Sequence, residues 1–102
     1  MKLYLAGPMS GKADFNYPAF HAAAAELRAA GYEVVNPAEA GDDTSLPWAH
    51  HMRRDIKALT DCDGVVMLFG WTKSRGAKLE VTIAAALAMD TRSVKGWTGG
   101  EW

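Results

Sequence analysis

The run GVVMLFG (residues 64–70) is continuously apolar, and that continuity decides the fold. A strand with one face in water alternates apolar and polar residues, whereas a strand covered on both faces need not. Two shorter runs precede it. KLYLA (2–6) ends at Gly7–Pro8, and YEVVNP (32–37) stops at Pro37. Between these strands lie segments with helical character. AFHAAAAELRAA (19–30) is rich in alanine, aligns Phe20, Ala24, Leu27 and Ala30 on one face, and meets Gly31 as a C-cap. WAHHMRRDIKALTD (48–61) carries Trp48, Met52, Ile56 and Leu59 on one stripe. Residues 75–89 form a third helix, and TRSVKGW (91–97) holds a short edge strand. Loops cover 7–18, 38–47 and 71–74. Strands alternating with helices predict a parallel sheet with right-handed crossovers. The expected fold is α/β: a flavodoxin- or Rossmann-like three-layer sandwich with four to five parallel strands. Residues 1–95 form the domain and 96–102 a flexible tail, with Trp97 and Trp102 exposed.

Composition narrows the function. A net charge of −1 supplies no field for nucleic acid or membrane. The lone cysteine, Cys62, excludes an internal disulfide and a cysteine-based zinc site. No apolar run approaches the roughly 20 residues needed to span a bilayer. The opening MKLYLA resembles the head of a signal peptide until Gly7 and Pro8 break it, so it reads as a buried strand. His50 and His51 diverge on their helix and do not suggest a shared metal. The expected setting is the cytoplasm.

SRGAKLEVTIAAALAM (74–89) holds one anomalous carboxylate. Glu80 lies too deep to complete a capping box with Ser74, which would need an acid at Ala77. Its neighbours three and four positions away are Gly76, Ala77, Ile83 and Ala84, so no cation pairs with it along the helix. A solvated glutamate beside Thr82 explains the segment equally well. In parallel sheets, however, ligands bind outside the carboxyl ends of the strands. Glu80 sits two turns into the helix that leaves the third such loop. Ser74 begins that helix between Lys73 and Arg75, where unpaired amides favour an anion.

Four stretches in order, YLAGPMSG, FNYPAF, RRDIKALTDCDGVVML and GWTKSRGAKLE, resemble the nucleoside 2-deoxyribosyltransferase-like family over residues 3–89. The closest resemblance is to its small stand-alone domains of unassigned function. Better-understood relatives cleave the bond between base and sugar. The resemblance implies Glu80 as nucleophile, Tyr4 as the tyrosine that orients it, and Asp55 as a contact to sugar or base. It implies a substrate site built from Gly7, Pro8, Met9, Ser10 and Gly11, Asn36 of the NP pair, Ser74 and Gly76. The serine at 74 matches the 2′-deoxynucleoside 5′-monophosphate N-glycosidases; the transferases of free nucleosides carry aspartate there. Trp71, just after the third strand, fits either stacking on a base or a hydrophobic lid.

The expectation is cleavage or transfer at the N-glycosidic bond of a nucleoside or nucleoside 5′-monophosphate, without a cofactor. Its rivals are a non-catalytic nucleotide-binding domain and an interaction module with a vestigial pocket. A nicotinamide nucleotide carries the same kind of bond. The expected partner is a small nucleoside or nucleotide, not a nucleic-acid polymer or a membrane. Relatives continue past the glutamate helix with another strand, and often take residues from a neighbouring subunit. A homodimer or higher homo-oligomer is therefore expected.

Overall fold

The computed structural model describes residues 1–40 and 45–99. Four strands, β1 (Lys2–Ala6), β2 (Glu33–Val35), β3 (Gly64–Met67) and β4 (Asp90–Ser93), form one sheet in the order β2-β1-β3-β4. All three pairings are parallel, with Tyr4 facing Val35 on one side and Val65 on the other. Helices α1 (Tyr17–Ala29), α2 (Trp48–Thr60), α3 (Arg75–Ala86) and α4 (Val94–Thr98) complete the fold. The architecture is the expected flavodoxin- or Rossmann-like α/β sandwich.

Alternation along β1 divides the core. Leu3 and Leu5 join Phe20, Ala24 and Leu27 of α1 on one face. Tyr4 and Ala6 join Leu59 of α2 and Ala77, Val81 and Ala84 of α3 on the other. The chain after β1 crosses one face to reach β2, and the chain after β3 crosses the opposite face to reach β4. The strand order therefore reverses direction between β1 and β3. A crevice opens there, at the carboxyl ends of both strands.

Element ends depart from the sequence reading for local reasons. α1 starts at Tyr17, two residues early, because Pro18 in its first turn needs no N–H partner there. β3 stops at Met67. Leu68 still donates to Ala6 O at 2.9 Å, but Gly70 then turns at φ 86, and Trp71 N bonds back to Leu68 O at 3.1 Å. A glycine is needed because few other residues adopt that backbone.

Trp97, expected in solvent, is instead 5% exposed. Its Nε1 donates to Val65 O at 3.0 Å, and its carbonyl accepts from Tyr32 Oη at 2.7 Å. The ring lies against Gly64, where a Cβ would sit 2.7 Å from it, so residue 64 has no room for a side chain. Gly96 and Trp97 are thus part of the packed domain rather than a tail. Trp102 lies outside the described residues. Among the described residues no helix is long and apolar enough to cross a membrane.

Candidate functional site

The crevice is a cavity of about 800 Å³. Strand alternation aims the Tyr4 ring at α3, and the second turn of α3 presents Glu80 to it. Tyr4 Oη donates to Glu80 Oε2 at 2.5 Å. Tyr4 is buried and Glu80 is 5% exposed, yet both line the cavity. The carboxyl group is therefore a floor residue of a ligand-sized space, not part of a solvated stripe. Thr82, the residue expected beside it in water, is exposed while Glu80 is not.

Burial dominates the electrostatics. Loss of water pushes the Glu80 carboxyl up to about 8; the hydrogen bond from Tyr4 pulls it down in part, and the charge of Asp55 pushes it up. The Tyr4 phenol is raised far above its usual range by burial first, then by the negative charges of Glu80 and Asp55. Tyr4 thus remains a donor under all ordinary conditions. Asp55 projects from α2 into the same cavity with a side chain 17% exposed, and it pairs with Arg54 Nε at 3.1 Å. Two carboxyl groups of different burial thus share one pocket.

The outer part of the cavity is cationic. Ser74 caps α3, its Oγ accepting from Ala77 N at 3.2 Å, which leaves the hydroxyl proton available to a ligand oxygen. Lys12, Lys73 and Arg75 also line the space, and the Arg75 guanidinium stacks 3.7 Å from the centroid of Trp48. Gly7, Pro8, Met9 and Ser10 line it from the first loop. Gly76 does too, though its smallness serves packing first. A Cβ there would meet Met52 Sδ at 3.1 Å, so the glycine lets α3 close on α2.

Three expected residues stand elsewhere. Gly11 is not part of the cavity wall. Asn36 is buried in a turn, where its Oδ1 accepts from Ala38 N at 3.0 Å and its Nδ2 lies 3.2 Å from His21 Nδ1. Trp71 packs against the buried cluster that contains Tyr4 and Leu59 rather than facing the cavity. The aromatic residue just past β3 that does line it is Phe69, joined by Phe15 and Leu46. Sequence reading missed these three. The signal for Phe69 was its place immediately before Gly70, where the chain must turn. Among the described residues no group of three His, Cys, Asp or Glu side chains could hold a metal ion.

A family model described as "Domain of unknown function (DUF4406)" matches residues 1–92. No curated protein matches the chain.

Proposed function

The chain belongs to the family described as a domain of unknown function (DUF4406), and from its site we propose that it cleaves or transfers at the N-glycosidic bond of a nucleoside or nucleoside 5′-monophosphate. The observation that carries this reading is the buried Glu80, hydrogen-bonded by Tyr4 at the floor of a cavity whose rim holds Ser74. A carboxylate oxygen attacks C1′, and the C1′–N bond breaks with its electron pair passing to the base nitrogen, which then takes up a proton. Water, or a second base, then attacks C1′ and releases Glu80. Tyr4 holds the attacking carboxylate in one orientation. Asp55 contacts the sugar or base from α2.

The spacing along α3 suits a phosphorylated ligand. Ser74 and Glu80 are six residues apart, roughly 9 Å of helix rise. That is about the reach of a ribose 5′-phosphate with a hydrogen bond at each end. The cap serine, the unpaired amides of the helix start and the neighbouring cations favour the phosphate. The reading includes a homo-oligomer acting in the cytoplasm and needs no cofactor.

One observation favours a second reading. With its carboxyl group at about 8, Glu80 is mostly neutral at pH 7, and a neutral acid binds rather than attacks. A non-catalytic nucleotide-binding domain would use it as a hydrogen-bonding group. Incubation with nucleosides, their 5′-monophosphates and nicotinamide mononucleotide, followed by chromatography, separates the two. Free base in the products supports the enzyme. Ligand that binds and returns intact supports the binder, and no binding of any of them rejects both.

A further inference from the structure

We infer that the planar heteroaromatic base of the ligand stacks on Phe69, with Phe15 as the second aromatic surface of the cavity mouth. The inference rests on the nucleotide reading of the same site and adds the residues that select the base.

Phe69 is 100% exposed, the extreme among the large apolar side chains of the described residues. Neither it nor Phe15 belongs to a core cluster, yet both line the cavity that ends at Glu80. The backbone under Phe69 is fixed on both sides. Leu68 is tied to Ala6 and Trp71 to Leu68, while Gly70 holds φ 86 beside the Pro8 ring. The ring is thus presented to water by a rigid turn, where its apolar faces are covered by nothing of its own chain.

Phe15 is 40% exposed and is held in the mouth at a conformational cost. Asp14, Phe15 and Asn16 all lie in the left-handed region, at φ 51, 52 and 61. Single non-glycine residues visit that region at a cost, and three in succession persist only when fixed by their surroundings. Here Asn16 Nδ2 donates to Pro8 O at 2.9 Å, and Phe15 N bonds to Lys12 O at 3.1 Å. Two aromatic rings therefore line one opening: Phe69 fully exposed, and Phe15 partly exposed with its ring centroid 5.8 Å from that of Tyr17.

A base offers what these rings lack: flat apolar faces that stack while its polar edge stays hydrated. Its placement follows from the chemistry. With C1′ at Glu80 and the 5′-phosphate at Ser74, the base must leave the sugar toward the mouth. A sugar phosphate without a base has no such face and gains nothing from Phe69.

Calorimetry with 2′-deoxyadenosine 5′-monophosphate and 2-deoxyribose 5-phosphate tests this. Phe69→Ala is expected to weaken the nucleotide by about tenfold, the scale of one lost base–aromatic stack. It should leave the sugar phosphate little changed, and Phe69→Trp should keep nucleotide affinity near that of the wild type. An unchanged nucleotide affinity in Phe69→Ala, or an equal loss for both ligands, overturns the inference alone. Wild-type protein that binds the sugar phosphate but not the nucleotide also overturns it while sparing the phosphate site. Binding of neither ligand overturns the nucleotide reading and this inference with it. Phe69 supports no core contact, so the variant should melt with the wild type.

Discussion

The Tyr4 hydroxyl donates to Glu80 Oε2 at 2.5 Å, across a sequence separation of 76 residues. Burial holds the Glu80 carboxyl at about 8, well above its ordinary 4.5. The folded state therefore keeps a proton that the unfolded state has lost between those two values. Stability is highest below about pH 4.5 on account of this group, falls as pH rises toward 8, and then levels. The slope in that window should reach about 1.4 kcal/mol per pH unit. Glu80→Gln cannot ionise, so its denaturation midpoints should lack this contribution. A variant that kept the full wild-type slope would place the titration elsewhere.

The same variant tests the chemistry. Glu80→Gln should keep the fold, because the amide oxygen still accepts from Tyr4. It should lose glycosidic cleavage by roughly 10²-fold or more, the scale of losing a group that stabilises transition-state charge. Release of base at the wild-type rate would remove Glu80 from the mechanism.

Cleavage needs the ionised form, so its rate should rise with pH, reach half its maximum near 8, the Glu80 value, and level off above that. Tyr4 lowers that value by donating to the carboxylate. Tyr4→Phe should shift the rising limb further to alkaline pH and slow the reaction most at neutral pH. An unshifted limb would mean that Tyr4 only packs.

Ser74→Ala removes the acceptor for Ala77 N, at a cost of about 1 kcal/mol of stability. If the hydroxyl also serves a phosphate, a nucleoside monophosphate should bind at least about tenfold tighter than its nucleoside in the wild type. The variant should narrow that gap. Isothermal calorimetry well below the melting point checks both parts.

Ala88 lies just past α3 at φ 58, with Met89 N bonded to Ala84 O at 2.9 Å. This is the position where helices most often place glycine. Ala88→Gly should relieve the strain of the left-handed backbone and raise stability by about 0.5–1 kcal/mol, after allowance for the freer unfolded chain. Chemical denaturation measures it directly.

Assembly is expected at the level of a dimer or above. Burial of Trp97 removes one motive for that expectation. The remaining motives are the open mouth of the cavity and the exposed Leu79 and Leu87 along and just after α3. Light scattering that finds a monomer at high micromolar concentration would refute it.

Order, type and approximate limits of the elements up to α3 were legible in the chain, because each depends on local signals; residues 94–97, read as part of an edge strand, instead begin helix α4 after β4 ends at Ser93. A continuous apolar run means a strand buried on both faces, an apolar stripe means a helix against it, and Gly31 or Pro37 marks an end. Parallel strands follow from the alternation itself. The anomaly of Glu80 was also legible, as an acid with no helical partner.

Tertiary structure decided everything that depends on which way a side chain turns after an element stops. Phe69 and Trp71 are two residues apart on either side of Gly70. Across the positive φ of that glycine, Phe69 stands exposed in the cavity lining, whereas Trp71 is partly buried against the cluster of Tyr4 and Leu59. Trp97 reads as a tail residue until Gly64 is seen to leave space for it 33 positions away. The apolar helix around Glu80 already argued for a raised proton affinity, and burial bears that direction out. How far it rises depends on the water removed by elements that meet only when the sheet closes.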